Sequence, residues 1–416
     1  MELLIKPNAK YGKVVIPGSK SLTHRALICA ALSKQKVTIY NANICEDTMI
    51  TLALLQNIGA EFNIDKTTIT VLPPNTFTKP REIINAHNSG TSVRFMGPIY
   101  YQLFHEFKVI IDKRMYERLL LTTSDSEIDI KINNETEHEV CVNISFNNLN
   151  TLINNNKTTQ YTSGILLSTI INQNDTYNID KKILQNPYVQ MTLRVMQDFH
   201  YHYTLIDNTF MGTHPSPTIQ EYYVEGDYSN ASNFLVMGCL NGNIKCVGLT
   251  NSSIQGDCKI IDYLKMMNAK IERDNMSVTC QTSNLKPVSL DLTDTPDLIP
   301  LLMAVLSVTP GMSKITGFNK LIYKETNRLE MSLKILNELG ASISLENDTI
   351  IILGKKKLNN PSYLELPTDH RLIMMVIAIA SCFTNPITIT NIQAIDKSYK
   401  NFINDFIQLR SEYENY

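Results

Sequence analysis

The pattern of apolar and polar positions predicts one unit that recurs along the chain: an amphipathic helix, a tight turn and an alternating strand. The clearest copies surround Gly59, Asn268 and Gly340, where apolar residues at helical spacing precede the turn and alternating apolar residues follow it. A fainter copy occupies residues 193–200. Gly and Asn in these turns suit the left-handed conformation that ends many helices. The repetition therefore predicts an α/β architecture.

Other segments predict single elements. Residues 13–16 have the pattern of a short strand, and apolar residues at helical spacing in 22–32 predict the helix that follows. Residues 372–383 are the longest apolar run, which is too short to span a bilayer and predicts a buried helix. Residues 143–157 are rich in Asn and poor in apolar side chains. We expect loops or a weak edge strand there.

Composition narrows the class of protein. At 416 residues the chain exceeds one hydrophobic core, so we expect two domains or a few. A net charge of -2 gives no support for nucleic acid or an anionic membrane as a partner. The eight cysteines form no CxxC pair, which favours reduced thiols over disulfides or a metal site. Residues 1–6 lack the pattern of a secretion signal, and we therefore expect a cytoplasmic protein.

Residues 17–25, with the sequence PGSKSLTHR, bring cations and hydroxyls to the point where the predicted strand passes into a helix. A helix N-terminus presents free backbone N–H groups and the positive end of the helix dipole to an anion. Lys20, Ser21 and Arg25 would add to such a site, so the stretch predicts phosphate binding. A capped, solvated start of a helix explains the same residues about equally well.

Three further segments carry small residues or clustered charge. Gly90 stands in a small-residue turn that opens a predicted helix and would let the backbone approach an anion. Lys324 and Arg328 are four residues apart, which predicts that both lie on one helix face with Glu325 beside them. Arg371 directly precedes the apolar helix and needs a partner there. Alone, the turn is a weak signal, and the charged pair fits a salt-bridged surface helix better than a binding site.

Several lysines and arginines come from segments that are far apart in the sequence, and each of them lies near the end of a predicted helix or strand or in a loop. This distribution suits a cleft that binds a polyanion. The cations are Lys20, Arg25, Arg118, Lys324, Arg328, Arg371 and Lys397.

A series of motifs makes the chain resemble the 5-enolpyruvylshikimate-3-phosphate synthase family. The motifs are in family order and cover nearly the whole chain, which is not expected by chance. They are PGSKS with Arg25, NSGT with Arg94, RM and ER within 114–118, Gln160 after two hydroxyl residues, PY at 187–188, VEGDYS at 224–229, QGD at 255–257, PD at 296–297, KETNR at 324–328, DHR at 369–371 and KSY at 397–399.

The resemblance implies a two-lobed α/β fold in which each lobe contains three βαβαββ repeats and the active site lies in the cleft between the lobes. One lobe would comprise residues 1–17 and 226–416, and the other would comprise residues 18–225. It further implies a monomer that requires no cofactor or metal and whose partners are two small-molecule substrates.

The resemblance also implies a reaction of aromatic amino-acid biosynthesis, in which the enolpyruvyl group of phosphoenolpyruvate moves to the 5-hydroxyl of shikimate 3-phosphate and phosphate leaves. Glyphosate is expected to compete with phosphoenolpyruvate. Positions that match shikimate 3-phosphate contacts are Lys20, Ser21, Arg25, Thr158, Thr159, Gln160, Tyr188, Asp297 and Lys324. Positions that match phosphoenolpyruvate contacts are Lys20, Gly90, Thr91, Arg118, Gln160, Arg328, Arg371 and Lys397.

Three of the matching positions are candidates for proton transfer. Asp297 is the candidate base for the attacking hydroxyl, and Glu325 is the candidate carrier of the proton to and from the methylene carbon. Lys20 is the competing choice for that carrier.

Two alternatives differ in acceptor or in activity. The enolpyruvyl transferases that act on UDP-N-acetylglucosamine have Asn after the active-site lysine, where this chain has Ser21, and usually have Cys in a mobile loop, whereas residues 112–120 contain none. A relative that only binds an anionic metabolite would not need Asp297 and Glu325. The chain also departs from usual family residues, with Thr158 and Thr159 for two serines, Gln185 for a serine, Leu119 for a proline, and Phe95 where some members have proline.

Overall fold

The computed structural model describes residues 1–155, 157–172, 175–213 and 219–409. The strands are β1 Glu2–Ile5, β2 Lys10–Val15, β3 Val37–Tyr40, β4 Glu61–Asp65, β5 Thr68–Leu72, β6 Phe107–Asp112, β7 Ile128–Glu135, β8 Glu139–Phe146, β9 Thr176–Asn178, β10 His202–Ile206, β11 Thr209–Thr213, β12 Glu221–Tyr223, β13 Gly242–Val247, β14 Lys270–Asp274, β15 Ser277–Gln281, β16 Ser289–Asp291, β17 Gly311–Thr316, β18 Ile343–Glu346, β19 Thr349–Gly354, β20 Tyr363–Leu364 and β21 Ile387–Thr390.

The α-helices are α1 Lys20–Ala31, α2 Glu46–Asn57, α3 Gly90–Phe104, α4 Lys113–Thr122, α5 Leu149–Leu152, α6 Gln160–Ser168, α7 Lys181–Leu184, α8 Pro187–Asp198, α9 Tyr228–Asn241, α10 Ile260–Met266, α11 Ile299–Ser307, α12 Arg328–Glu338, α13 His370–Ile379 and α14 Phe402–Gln408. Short 3-10 helices cover Gly256–Lys259, Pro296–Leu298, Asn319–Tyr323, Ala380–Cys382 and Ile392–Lys397. Across the described part of the chain, no helix is long and apolar enough to cross a membrane.

The chain divides into two compact units. Unit 1 comprises Met1–Pro17 and Glu225–Tyr416, and unit 2 comprises Gly18–Val224. Unit 1 is therefore discontinuous in sequence, because β1 and β2 precede the whole of unit 2 and the other strands of unit 1 follow it.

The sheets of unit 1 share one strand arrangement. Strand β13 lies between β2, its parallel neighbour, and β15, its antiparallel neighbour, with β14 beyond β15. Strand β17 likewise lies between parallel β16 and antiparallel β19, with β18 beyond. In a third sheet β21 lies between parallel β20 and antiparallel β1. The core includes all residues of α11, and every residue of α13 except Arg371 is buried. The predicted buried helix is thus confirmed.

Unit 2 contains related sheets. Strand β3 lies between parallel β12 and antiparallel β5, with β4 beyond. The other sheets have the strand orders β6-β8-β7 and β10-β11-β9. Helices α3 and α6 pack directly on one another. A side chain at Gly164 would prevent this packing, since an added Cβ would lie 2.3 Å from the carbonyl oxygen of Arg94.

All four predicted units of helix, turn and strand are confirmed. Helices α2, α10, α12 and α8 each pass through a short turn into β4, β14, β18 and β10. Each turn contains a residue in the left-handed region: Gly59 at φ 107°, Asn268 at 69°, Gly340 at 83° and His200 at 60°. The two glycines and the asparagine suit that conformation, and the histidine explains why the fourth copy is fainter in the sequence.

The prediction of loops or a weak edge strand for residues 143–157 was wrong in part: residues 147–148, 153–155 and 157 lie outside helices and strands, whereas 143–146 and 149–152 do not, and residue 156 is outside the described residues. Residues 143–146 belong to β8, which lies at the centre of the β6-β8-β7 sheet, and residues 149–152 form α5. Val140, Val142, Ile144 and Phe146 point into the core and the residues between them do not. Of the asparagines that suggested a loop, Asn143 lies in β8 and alternates with this apolar set, and four buried side chains are enough to fix a central strand.

Candidate active site

The predicted anion site at the start of α1 has a defined helix end. Ser19 caps α1, because its hydroxyl accepts a hydrogen bond from the backbone N–H of Leu22 at 3.4 Å. Lys20 is the first helical residue, and its Nζ lies 2.7 Å from Oδ2 of Asp47 in the first turn of α2. Both side chains are largely buried. The sequence predicts a role for Lys20 but gives no sign of the carboxylate that holds it.

Arg25 is buried against neutral groups. Its Nε donates to the Thr192 hydroxyl at 2.8 Å, and its Nη2 donates to the Ser163 hydroxyl and to the Tyr188 carbonyl at 3.3 and 3.0 Å. Its Nη1 donates to the Ser21 carbonyl at 2.8 Å. Burial lowers the pKa of Arg25 to about 10. The Arg25 guanidinium thus donates hydrogen bonds to the backbone carbonyls of two predicted ligand residues, Ser21 on its own helix α1 and Tyr188 on α8.

A second group in unit 2, which we call the glutamine cluster, consists of Gly90, Thr91, Arg94, Arg118 and Gln160. Arg94 Nη1 donates to Gln160 Oε1 at 2.9 Å, and Gln160 Nε2 donates to the Thr91 hydroxyl at 2.9 Å. Arg118 Nη1 donates to the side chain and the carbonyl of Asn88, at 2.6 and 3.2 Å. Four of the five members are predicted site residues, and all five meet at the first turn of α3.

Gly90 is the first residue of α3. An added Cβ would lie 2.6 Å from Arg118 Nη2 and 2.9 Å from Arg94 Nη1. The absence of a side chain therefore leaves room for two guanidiniums beside the helix N-terminus. This is a different reason for glycine from the close backbone approach that the sequence suggested, and it places two cations beside the N-terminus of α3.

The remaining predicted residues of unit 2 lie at helix starts. Thr158 and Thr159 directly precede α6, and the Thr158 hydroxyl accepts from the Gln160 N–H at 3.3 Å. Tyr188 is the second residue of α8, whose first turn is capped by the Asn186 side chain. Helix N-termini at α1, α3, α6 and α8 thus carry every unit 2 residue predicted to bind ligand except Arg25, in the second turn of α1, and Arg118.

In unit 1, Asp297 is the centre of a group of three cations. Oδ1 of Asp297 lies 2.9 Å from Lys324 Nζ and 3.2 Å from Arg328 Nη1, and Oδ2 lies 3.1 Å from Arg371 Nη2. Burial alone would raise the pKa of Asp297, but the three cations outweigh it and hold that pKa well below its usual range. The predicted need of Arg371 for a partner is met by this carboxylate.

Glu325 lies in the same group. Its Oε2 is 3.2 Å from His370 Nδ1 and 3.4 Å from Arg328 Nη2, and its Oε1 is 3.8 Å from Lys397 Nζ. Burial would raise its pKa, whereas Lys397, His370 and Arg328 together hold it well below the usual range. At neutral pH, Glu325 of the ligand-free chain is therefore a carboxylate that can accept a proton.

Asp369 is a member of this group that the sequence analysis did not assign. It is fully buried, and its Oδ2 accepts from Arg328 Nε at 2.8 Å and from the Thr326 hydroxyl at 3.1 Å. Its Oδ1 caps α13 by accepting the Arg371 N–H at 3.0 Å. One carboxylate therefore orients the Arg328 guanidinium and fixes the backbone at Arg371. An Asp directly before an apolar helix is a capping signal that could have been found in the sequence.

We call this group the carboxylate cluster. Its members are Asp297, Lys324, Glu325, Arg328, Asp369, His370, Arg371 and Lys397.

The predicted helix face of Lys324 and Arg328 was wrong. Asn327 caps α12 through its side chain, which accepts from the Glu330 N–H at 3.4 Å, so that the helix begins only at Arg328. Lys324 has extended backbone at φ -85° and ψ -174°. The two cations converge through Asp297 instead of through helical spacing.

A further buried carboxyl, Asp257, adjoins this cluster. It comes from the QGD motif, and the Ser229 hydroxyl donates to it. Burial raises the pKa of Asp257 to about 6, and the negative charge of Asp297 adds to that effect. Asp257 and Asp297 are thus two carboxyl groups whose pKa values are driven apart by their surroundings, a common property of catalytic sites.

Among the residues that the structure describes, two groups of side chains have ligand atoms within 4.8 Å of one another, as a metal site would require. They are His87 with Asp112 and Glu139, and Glu325 with Asp369 and His370. In the second group the guanidinium of Arg328 already bridges the two carboxylates. The donor set is thus neutralised by an arginine, which does not fit a metal ion at the same position.

The family is established by comparison with known proteins. A family model described as EPSP synthase (3-phosphoshikimate 1-carboxyvinyltransferase) matches residues 5–406. The chain belongs to the EPSP synthase family. As such it is a 3-phosphoshikimate 1-carboxyvinyltransferase family enzyme of the shikimate pathway.

Curated relatives of the EPSP synthase family match the chain over its length. A 3-phosphoshikimate 1-carboxyvinyltransferase of Clostridium acetobutylicum is 32% identical over 424 residues, covering 97% of this chain and 96% of the relative. One from Clostridium kluyveri is 29% identical over 417 residues, with 98% and 97% covered. The predicted family is therefore confirmed.

Solved structures of the EPSP synthase fold resemble the chain as well. The EPSP synthase of Acinetobacter baumannii matches with a TM-score of 0.73 at 20% identity, over 98% of this chain and 97% of that one. The enolpyruvyl transferase NikO of Streptomyces tendae matches with a TM-score of 0.74 at 14% identity, over 99% and 97%. At these identities the likeness concerns the fold alone.

Proposed function

We propose that this chain transfers the enolpyruvyl group of phosphoenolpyruvate to the 5-hydroxyl of shikimate 3-phosphate. Membership of the family over nearly the full length supports the reaction type. The observation that carries the proposal is the carboxylate cluster, in which Asp297 holds Lys324, Arg328 and Arg371 within 3.2 Å. A cluster of this kind combines paired guanidiniums for a carboxylate or phosphate with carboxylates for proton transfer.

The proposed reaction proceeds by addition and elimination. The 5-hydroxyl oxygen forms a bond to C2 of phosphoenolpyruvate while C3 gains a proton and the hydroxyl loses one. The tetrahedral intermediate then loses a proton from C3, and the bond from C2 to the phosphate oxygen breaks. The products are the enolpyruvyl ether and inorganic phosphate, so the atoms and charges balance without a cofactor.

We assign the two substrates to the residues identified above. Shikimate 3-phosphate is assigned to Lys20, Ser21, Arg25, Thr158, Thr159, Gln160, Tyr188, Asp297 and Lys324. Phosphoenolpyruvate is assigned to Lys20, Gly90, Thr91, Arg118, Gln160, Arg328, Arg371 and Lys397.

The charges of the carboxylate cluster suggest how its acids become active. In the ligand-free chain Asp297 and Glu325 have strongly lowered pKa values because cations surround them. An anionic substrate that binds Arg328, Arg371 or Lys397 neutralises those cations, and the pKa of each carboxylate then rises. Asp297 becomes a stronger base for the hydroxyl, and Glu325 becomes able to hold the proton that passes to and from C3.

We further propose that units 1 and 2 are the two lobes of the family fold and that each carries three copies of the βαβαββ repeat. The strand order common to the β13, β17 and β3 sheets, one parallel neighbour and one antiparallel, supports the repeat. Monomeric action in the cytoplasm is part of the same proposal.

The test is a measurement of inorganic phosphate release. The full chain is incubated with phosphoenolpyruvate and shikimate 3-phosphate, and in parallel with phosphoenolpyruvate and UDP-N-acetylglucosamine. We expect release with shikimate 3-phosphate only and a loss of release in Asp297→Asn. Release with the second acceptor alone would assign the other enolpyruvyl transfer, and binding of substrates without release from either would indicate a non-catalytic relative.

A further inference from the structure

Arg94 belongs to the sequence motifs but has no role in the assignments above. It is one turn after Gly90 on α3, and its side chain is 1% exposed. Its Nη2 donates to the Arg118 carbonyl at 3.2 Å and to the Thr122 hydroxyl at 3.1 Å, and its guanidinium lies 5.6 Å from the ring centre of Tyr161. Arg94 is thus fixed in one orientation by several contacts.

The partners of Arg94 are all uncharged. Among the described residues no carboxylate pairs with it, and its hydrogen bonds go to Gln160, the Arg118 carbonyl and Thr122. Burial accordingly lowers its pKa. A buried, uncompensated guanidinium is costly to the fold, and such a cost is retained where the charge serves a ligand.

The contact with Gln160 determines which end of the amide faces outward. A guanidinium has donors only, so the group that Arg94 Nη1 contacts at 2.9 Å must be the carbonyl oxygen Oε1. The NH2 end of the amide then points the other way, where it donates to the Thr91 hydroxyl at 2.9 Å. The orientation follows from the chemistry of arginine and does not depend on telling nitrogen from oxygen.

The close packing of α6 on α3 fixes the positions of Arg94 and Gln160 relative to one another. Gln160 begins α6, and Gly164 one turn later lets α6 approach α3 so closely that an added Cβ would meet the Arg94 carbonyl at 2.3 Å and the Phe95 Cα at 3.0 Å. Arg94 and Gln160 therefore extend from two helices that cannot separate without loss of this contact. Their hydrogen bond is part of the helix packing and not an adaptable surface contact.

We propose that Arg94 is a positioning residue that locks the Gln160 amide so that its NH2 end faces the anion of phosphoenolpyruvate. The proposal rests on the proposed function, in which Gln160 contacts phosphoenolpyruvate. Without Arg94 the amide can rotate and present Oε1, whose partial negative charge repels an anion. The lock thus makes Gln160 selective for an anionic ligand over one that offers a hydrogen-bond donor.

The test is a double-mutant cycle with Arg94→Met, Gln160→Met and the double variant. Arg194→Met is the control, because Arg194 is an exposed arginine of unit 2 that pairs with Asp198. The measurements are KM for phosphoenolpyruvate, kcat, and the Kd for inorganic phosphate by calorimetry. Each single variant is expected to raise KM and Kd by about tenfold, as for a lost hydrogen bond to a charged group, with a smaller effect on kcat and no effect in the control.

The double variant separates positioning from a direct charge effect. If Arg94 acts through Gln160, Arg94→Met adds little once Gln160 is already Met. Multiplication of the two single effects, to about a hundredfold, would overturn the inference. So would wild-type KM and Kd in Arg94→Met, and so would a wild-type chain that does not bind phosphate.

A second variant covers the case in which Arg94→Met does not fold. Gln160→Glu keeps an acceptor for Arg94, and we expect it to melt at or above the wild-type temperature, yet it loses the donor and should raise the Kd for phosphate more than Gln160→Met does. Wild-type Kd in Gln160→Glu would overturn the inference. A chain that binds phosphate with these patterns but releases none from its substrates would contradict the proposed function and leave the lock supported.

Discussion

Buried arginines have charged partners in unit 1 and neutral partners in unit 2, as Arg328 on the one hand and Arg25 and Arg94 on the other illustrate. In unit 1, Arg328 is 2% exposed and contacts three carboxylates, those of Asp297, Glu325 and Asp369. In unit 2, Arg25 and Arg94 are buried to a similar degree but donate to hydroxyls, an amide and backbone carbonyls. The carboxylates raise the pKa of Arg328 although burial opposes them, whereas burial lowers the pKa of both unit 2 arginines.

The difference separates two designs for an anion site. In the carboxylate cluster three carboxylates neutralise most of the charge of four cations, which stabilises it, and its acids gain basicity only when an anion takes up the positive charge. The hydrogen-bond partners of Arg25 and Arg94 are neutral, so the positive charge of each arginine is not cancelled. This lowers the stability of unit 2 and strengthens its attraction for an anion. The following predictions test that contrast.

The largest effect is expected from Glu325→Gln, which removes a titratable group from the carboxylate cluster while keeping its size and hydrogen bonding. We expect kcat to fall by about 10² to 10⁴, as for a lost general acid or base, with KM for both substrates little changed. Stopped-flow or steady-state phosphate release measures this. Turnover close to wild type would transfer the proton-carrier role to Lys20.

A contrast in stability should follow from removing one arginine from each unit. Arg328→Met leaves three carboxylates, of which Asp369 is fully buried, without their shared cation, and we expect a loss of about 3 to 5 kcal/mol in the free energy of unfolding. Arg25→Met leaves only neutral partners, so the expected loss is about 1 to 2 kcal/mol. Urea unfolding of the ligand-free chain compares them.

The exposed Arg194→Met is again the control, and it should have little effect on unfolding. Equal losses of unfolding free energy in Arg328→Met and Arg25→Met would contradict the prediction that carboxylate partners make the unit 1 arginine more important for stability.

Much of this contrast could not be predicted from the sequence, although the local structure could. Periodicity was enough for the helix, turn and strand units, because the information lies within a dozen residues. The partners of Arg371 and Lys20 come from Asp297 and Asp47, which are distant in the chain, and only the fold brings them together. The predicted helix face shared by Lys324 and Arg328 was wrong for a local reason. The Asn327 side chain caps α12, so the helix begins at Arg328 and does not include Lys324.

The response to pH should also differ between the units. Burial lowers the pKa of His24 in unit 2 from 6.5 to about 3. The unfolded chain therefore binds more protons than the folded chain between these values, and stability falls as pH drops below about 6.5. In unit 1, Asp297, Glu325 and Asp369 have folded pKa values below their unfolded ones, so the contribution of these three carboxylates is complete above about pH 4 and is lost only below it.

Between pH 7 and pH 5 the titration of His24 should cost about 2 kcal/mol of unfolding free energy. Urea midpoints at both pH values measure this. His24→Phe is the matched variant, since the ring is buried and its partner Phe95 is aromatic, and its midpoint should change less with pH. The same pH dependence in the variant and the wild type would contradict the assignment to His24.

The smallest effect is expected from Gly90→Ala. The new methyl would lie 2.6 Å from Arg118 Nη2 and 2.9 Å from Arg94 Nη1, so one or both guanidiniums must be displaced. We expect the inhibition constant of glyphosate to rise by about tenfold, equivalent to about 1.4 kcal/mol, and KM for phosphoenolpyruvate to rise less, because the inhibitor is longer. An equal rise in both constants would disprove the steric argument.

The discontinuity of unit 1 has a consequence for the order in which the chain folds during synthesis. Strand β1 pairs with β21, and β2 pairs with β13, so β1 and β2 leave the ribosome long before their partner strands are made. Unit 2 is continuous from Gly18 to Val224 and can fold while β1 and β2 are still unpaired. The exposed edge of β2 is therefore open to wrong pairing throughout that interval, and only the completed second half of the chain closes it.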